Sequence, residues 1–248
     1  MNVVIIPARW GSTRFPGKML HVIAGKPVLQ HVWQRCCRAK KIDHTIIATD
    51  DMRIAEAAFD WGAEVALTSR KHQSGTDRLA EVVKRAPEFS LIVNVQGDEP
   101  LIDPGLIDRI ISMLQRNHET QMVTAAHPFG NPTDATSPHQ VKVVTDLKGN
   151  ALYFSRSIIP YPRQQNAIRF LRHQGVYGFR RETLLHLVKC KPGPLERAES
   201  LEQLRALENG VSVHVLVTKQ GSPGIDTPED AAALKQTITR ASRRSGAR

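Results

Sequence analysis

The residues best suited to chemistry fall in three polar clusters, each directly after an apolar run. The first reads Pro7-Ala-Arg-Trp-Gly-Ser-Thr-Arg-Phe-Pro-Gly-Lys18 and holds Arg9, Arg14 and Lys18 among Gly11, Ser12, Thr13 and Gly17. Small residues let backbone N–H groups approach phosphate oxygens, while Arg offers a planar fork and Lys a point charge. The order is neither that of a Walker A loop nor G-x-G-x-x-G. A basic surface loop would have the same composition, but three cations just past a strand end point to a triphosphate cradle. The second cluster is Thr49-Asp50 and the third Gln96-Gly97-Asp98-Glu99-Pro100.

Two carboxylates from distant segments complete the pattern: Asp98 in the third cluster and Asp226 in Gly224-Ile-Asp-Thr-Pro-Glu229. Mg²⁺ prefers one or two carboxylates together with phosphate oxygens and water, so this pair suits a metal-bound triphosphate. Taken singly, Asp226 also reads as a helix cap and Asp98 as a turn residue before Pro100. His72-Gln-Ser-Gly-Thr-Asp-Arg78 leads into a helix. There, backbone groups of Ser74 and Gly75 could read a base edge, with Asp77 and Arg78 on the first turn; an ordinary capping segment looks the same. His173 and Tyr177 sit on an apolar-flanked stretch, where a lone histidine is more often structural. Glu202 and Gln203 fall within an expected helix, on what reads by default as a solvated face.

The elements that must position these groups follow from the hydrophobic pattern. Apolar runs at 2–7, 44–49 and 91–95, with a shorter one at 64–68, read as strands buried on both faces. Helical stretches are predicted between them at 27–38, 52–61 and 76–85, with Leu79, Val82 and Val83 marking one buried face of the last. Strand–helix alternation implies right-handed crossovers and a mostly parallel α/β sheet, whose ligands bind at the carboxyl ends of the strands. The three clusters fall at those ends. After a helix at 104–117 and a strand at 122–127 the pattern changes. The runs 141–146 and 151–155 flank Leu147-Lys-Gly-Asn150 as an antiparallel hairpin, so 128–174 reads as a small excursion from the core. The chain then returns through a strand at 175–179, a helix at 195–208 stopped by Asn209-Gly210, a strand at 211–217 and a final helix. One domain over 1–240 is expected, followed by a basic tail at 241–248.

Composition excludes more than it selects. With 248 residues, 41% hydrophobic and 23% charged, the chain is an ordinary globular protein able to bury a sizeable core. Cys36, Cys37 and Cys190 have no metal-ligand spacing and read as reduced thiols of a cytoplasmic protein. The apolar start, Val3 to Ile6, is too short for a signal peptide or a membrane span. A net charge of +10 invites a nucleic-acid reading, but the charge is spread along the chain. With three Trp and three Tyr, no aromatic-basic interleaving supports that reading.

Taken together, the clusters resemble one family, the 3-deoxy-manno-octulosonate (Kdo) cytidylyltransferases or CMP-Kdo synthetases. The stretches that carry the resemblance are IIPARWGSTRFPGK, HQSGTDRLAEV, VNVQGDEPLI, VKVVTDLKGNALYFSRSIIP, RHQGVYGFR, PLERAESLEQLRALENG and GIDTPED, in the family's order and over nearly the whole chain. The resemblance implies a three-layer α/β fold of nucleotide-diphospho-sugar-transferase type and a homodimer built through the excursion. It implies transfer of CMP from CTP to Kdo, with an 8-amino-Kdo or sialic-acid substrate as alternatives. By position, Ala8, Arg9, Ser12, Arg14 and Lys18 match its triphosphate loop, Lys18 and Arg14 being the groups that assist the chemistry. Ser74, Gly75 and Asp77 match its nucleotide-recognition segment. Arg78, Gln96, Arg156, His173, Tyr177, Glu202 and Gln203 match positions near the sugar acid, and Asp98 and Asp226 match its Mg²⁺ ligands. The chain departs from the family at Ser137-Pro-His139, where Asn-Pro-Asn is common, and in a short stretch between Pro160 and Arg169.

Overall fold

The computed structural model describes residues 1–11, 15–72, 74–164 and 169–245, with backbone alone for 240–245. The chain forms two compact units: Met1–Arg109 together with the segment from Ser222, and Ile110–Gly221.

In the first unit, β1 (Asn2–Ala8) is followed by two short paired strands, β2 (Val22–Ile23) and β3 (Lys26–Pro27), and by α1 (Val28–Cys36). Then come β4 (His44–Thr49), α2 (Met52–Asp60), β5 (Glu64–Leu67), α3 (Gly75–Arg85), β6 (Leu91–Asn94) and α4 (Pro104–Arg116), within which the division falls. The strands are parallel in the order β6-β1-β4-β5, as the alternation predicts. Val3, Val4, Ile5 and Ile6 are each 0% exposed. Successive side chains of a strand point to opposite faces, so β1 is covered on both. Its register sets Ala8 beside Thr49 of β4 and Ile5 beside Asn94 of β6. All three strands therefore end at one edge, where the polar clusters begin.

The second unit contains β7 (Met122–Pro128), β8 (Lys142–Thr145), β9 (Ala151–Ser155), β10 (Leu171–Arg180), α5 (Arg181–Leu187), α6 (Pro194–Glu199), α7 (Leu204–Glu208) and β11 (Val213–Val217). The expected hairpin is present as the antiparallel pair β8–β9. β11 runs parallel to β7, whereas β10 is antiparallel to β7 and to β8. β10 starts well before the predicted 175 and carries an irregularity between Gln174 and Tyr177.

The single helix predicted at 195–208 is two short ones, α6 and α7, broken at Ser200, whose φ of 52° is left-handed. The reason is a side-chain clamp. The Glu208 carboxylate accepts hydrogen bonds from Leu195 N (2.9 Å) and Glu196 N (3.1 Å), and Arg205 donates two to Glu196 at 2.8 and 2.6 Å. In one continuous helix Glu208 would lie roughly 20 Å from Leu195 and could not reach it.

The chain then returns to the first unit with α8 (Pro228–Ser245), which extends into the basic stretch set aside as a tail. The three cysteines are free, and among the described residues no helix is long and apolar enough to cross a membrane.

One half-buried imidazole in the second unit makes stability pH-dependent. His173 Nε2 lies 2.9 Å from the Thr124 hydroxyl, whose oxygen also lies 2.9 Å from Val176 O and 3.3 Å from Gln174 O. A hydroxyl has one proton to give. With Val176 O as its acceptor, the Thr124 oxygen receives the proton of His173 Nε2. Rings of Phe154 and Tyr177 flank the imidazole at 5.0 and 5.5 Å between centroids. Desolvation pushes its pKa from the ordinary 6.5 down to about 3. Between those values the unfolded chain binds a proton that the native chain does not, so stability falls as pH drops from 6.5 toward 3. Urea denaturation of wild type and His173→Asn at pH 7 and pH 4.5 should show wild type losing roughly 2–3 kcal/mol of its advantage at the lower pH. An unchanged difference would show that the histidine is not held neutral.

Candidate active site

The site is organised around one ammonium group. Lys18 opens a short 3₁₀ turn, Lys18–Leu20, after Gly17, whose φ of 69° is left-handed. Trp10 closes this loop from above: a Cβ on Gly17 would stand 3.3 Å from its ring, and the Arg53 guanidinium stacks 3.6 Å over its centroid. The Lys18 side chain is only 8% exposed. Its Nζ lies 2.5 Å from Asp98 Oδ2 and 3.7 Å from Asp226 Oδ1. A buried ammonium is costly without opposite charge, and the two carboxylates supply it.

Those carboxylates arrive from segments far apart in the chain. Asp98 follows β6 at the carboxyl edge of the sheet. Asp226 comes from the turn before α8, and Ile225 N donates to Asp98 O at 2.9 Å, so one backbone bond joins the two segments. Ile225 is 0% exposed, in a cluster with Phe15, Ile23, Val28, Ala231 and Ile238. Asp226 is not the cap of α8. Thr227 is: its hydroxyl accepts from Asp230 N at 3.2 Å, and Asp230 Oδ2 accepts from Thr227 N at 2.9 Å. That leaves the Asp226 carboxylate to face Lys18.

Around this centre lies a polar pocket of about 400 Å³. Ala8, Arg9 and Lys18 line it from the first cluster, Gln96 and Asp98 from the third, and Asp226 from the turn before α8. Ser74, Gly75 and Arg78 line it from the start of α3. Ser74 caps α3, its Oγ accepting from Asp77 N at 3.1 Å, so the capping reading holds and the residue still reaches the pocket. Asp77 is spent on this cap and is not in the lining. Arg78 is buried, paired with Asp50 at 3.2 Å and hydrogen-bonded to Thr68. Gly97 sits in a tight place: a Cβ there would stand 3.0 Å from Met19 Sδ and 3.2 Å from Pro7 O. Ser12, Thr13 and Arg14 lie outside the described residues.

The remaining candidates belong to the second unit. His173 and Tyr177 are on β10, as described above. Glu202 and Gln203 are not on a helix face: they occupy the turn ahead of α7, and Gln203 is buried. Arg156 follows β9, its Nε donating to Glu199 O at 2.7 Å and Nη1 to Pro138 O at 3.0 Å.

Two features were not legible in the sequence, the first in the pocket and the second away from it. His72 lines the pocket, its ring bonded to Glu81; its place before Ser74 was the available signal. Lys142 is 0% exposed and donates to the carbonyls of Ser137 (2.9 Å), Gln140 (2.7 Å) and Arg156 (2.5 Å). Burial pushes its pKa down, against the opposing pull of Glu199. Nothing in a strand pattern marks a lysine as buried.

The donor set fits Mg²⁺. Two hard carboxylates converge on the Lys18 ammonium, 2.5 and 3.7 Å from its Nζ. Two such carboxylates are the expected pattern for an ion completed by phosphate oxygens and water.

Comparison with known proteins agrees with this geometry. The sequence model of the cytidylyltransferase family matches residues 3–215. A 3-deoxy-manno-octulosonate cytidylyltransferase of Geobacter sulfurreducens is 49% identical over 96% of this chain and 100% of its own length. One from Fusobacterium nucleatum is 42% identical over 94% of each chain. The solved structure of a CMP:2-keto-3-deoxy-manno-octonic acid synthetase complexed with CTP superimposes with a TM-score of 0.94 at 37% identity, covering 97% of this chain and 99% of that one. A cytidylyltransferase of Leptospira borgpetersenii, 19% identical over 96% of this chain and 87% of its own, shares the fold with a TM-score of 0.66. On the extent of the family match and of these relatives, the chain belongs to the cytidylyltransferase family, among the 3-deoxy-manno-octulosonate cytidylyltransferases.

Proposed function

We propose that the chain transfers CMP from CTP to the anomeric hydroxyl of Kdo, giving CMP-Kdo and pyrophosphate and so activating the sugar acid for lipopolysaccharide synthesis. The observation that carries this reading is Lys18 held between Asp98 and Asp226 in a polar pocket at the ends of parallel strands. The names of the relatives and the CTP complex of the similar structure support it.

In the reaction the hydroxyl oxygen bonds to the α-phosphorus while the bond to the pyrophosphate oxygen breaks. The leaving group carries away the electron pair, and the hydroxyl proton is lost to solvent. Such transfers depend mainly on alignment and charge neutralisation. Lys18 would neutralise charge on the α-phosphate and the departing pyrophosphate. Arg9 and, from its place in the sequence, Arg14 would hold the outer phosphates; Ala8 and Ser12 complete the loop. Ser74 and Gly75 would read the cytosine, with Asp77 holding the Ser74 hydroxyl through its Oδ2 at 3.0 Å. Mg²⁺, which Asp98 and Asp226 would hold, supplies further positive charge to the triphosphate. From the family resemblance, Arg78, Gln96, Arg156, His173, Tyr177, Glu202 and Gln203 would serve the sugar acid. His173, kept neutral, would offer shape and hydrogen bonding, not charge.

The enzyme is further read as a cytoplasmic homodimer. Leu152 on β9, Leu147 in the β8–β9 turn and Tyr161 are 63%, 108% and 83% exposed, a set of apolar side chains suited to a partner copy. Sedimentation at micromolar concentration should give twice the 27.6 kDa chain mass; a monomer would reject this part of the reading.

Pyrophosphate release with CTP and Mg²⁺ across Kdo, 8-amino-Kdo and sialic acid tests the reaction, and Kdo should be turned over fastest. Preference for another acid would reassign the substrate, and no release with any of them would remove the proposed activity. Lys18→Ala and Asp98→Asn should each lower turnover by about 10² to 10³ with unchanged circular dichroism. Near-normal rates in either variant would rule out the role given to that residue.

A further inference from the structure

The Asp226 side chain is 56% exposed, so packing does not aim it. Its direction is set by its backbone, and that backbone is held from an unexpected place. Asp230 Oδ2 accepts from Asp226 N and from Thr227 N, each at 2.9 Å. These two N–H groups belong to the two peptide planes that flank the Asp226 Cα. Tying both to one oxygen fixes the φ and ψ of Asp226, and hence the direction of its Cβ. A capping box needs only the bond to Thr227 N, together with the return bond from Asp230 N to Thr227 Oγ1. The bond to Asp226 N does nothing for the helix. One residue earlier, Ile225 N is held by Asp98 O at 2.9 Å, so the turn is pinned on both sides of the carboxylate. Asp230 itself does not line the pocket.

We propose that Asp230 is a positioning residue: by holding the peptide groups on either side of Asp226 it aims that carboxylate at the position shared with Asp98 and Lys18, and so sets the affinity of the site for a divalent cation. This rests on Asp98 and Asp226 being the Mg²⁺ ligands of the reading above. Groups that orient a metal ligand commonly change metal affinity by tenfold or more when removed.

The test is Mn²⁺ binding, followed by loss of the free-ion EPR signal with CTP present and no sugar acid, so that nothing turns over. Asp230→Ala should weaken Mn²⁺ binding by about tenfold, and in turnover it should raise the Mg²⁺ concentration for half-maximal rate while kcat at saturating Mg²⁺ stays near that of wild type. Asp230→Asn, which keeps an acceptor oxygen but not the charge, should bind within about threefold of wild type, as expected if position is what matters. Thr227→Ala, which removes only the other half of the cap, should lower the melting temperature without changing Mn²⁺ affinity. Wild-type affinity in Asp230→Ala would overturn the proposal by leaving Asp230 as a helix cap only. Binding by Asp230→Asn as weak as that of Asp230→Ala would overturn it in favour of a charge effect. If Asp230→Ala does not fold, Asp230→Glu moves the acceptor by one methylene and is read by the same criteria. Asp226→Asn tests the underlying reading separately: unchanged Mn²⁺ affinity there would remove the metal assignment itself, whatever Asp230 does.

Discussion

Burial of β1 on both faces is the constraint on which the first unit depends. A strand whose Val3, Val4, Ile5 and Ile6 are all hidden can take only a central place, with β4 and β6 as its parallel neighbours. Parallel pairing then aligns the strand ends. Each strand stops where its sequence turns polar, so the loop after Ala8, the Asp50 segment and the Gln96–Asp98 segment emerge together. Gly97 lets the third of these pass close to Pro7 and Met19, where a side chain would be crowded.

The second organising element is charge. Lys18 reaches its nearly buried position because two carboxylates meet it there. The same two carboxylates tolerate each other because a cation sits between them. Neither acid would be well placed alone: Asp98 depends on the end of β6, and Asp226 on the Ile225 plug and the α8 cap. The site is therefore assembled by mutual compensation, and a triphosphate with its counter-ion is the ligand class that can exchange with such an arrangement without leaving a charge unpaired.

In the second unit, side chains bind mainly to backbone. Lys142 and Arg156 both donate to carbonyl oxygens, including those of Ser137 and Pro138. This accounts for the departure at Ser137-Pro-His139. The segment is held through main-chain oxygens, which any residue provides, so its side chains can change without loss of these contacts. The Glu196–Arg205 and Glu208 clamp acts in the same way on the break between α6 and α7.

The sequence alone determined the parallel α/β core, the hairpin, the three polar clusters and the candidate carboxylates. Those features rest on local periodicity, turn chemistry and residue type, all carried by neighbouring residues. The resemblance of ordered motifs supplied the family. Tertiary structure decided the rest. Residues 98 and 226 share no local pattern, and tertiary contacts such as the Ile225–Asp98 bond bring their carboxylates to one lysine. Which residue capped α8 was open until Thr227 and Asp230 were seen to bond to each other. The predicted helix at 195–208 failed because its apolar spacing is genuinely helical, while the break at Ser200 is imposed by long-range bonds from Glu208 and Arg205. A lone histidine such as His173 reads as structural, and its lowered pKa comes from desolvation among groups that include Phe154 and Thr124, both distant in sequence. The cation that opens the site was therefore readable as a residue type; that it is nearly buried, and what neutralises it, is a property of the folded chain alone.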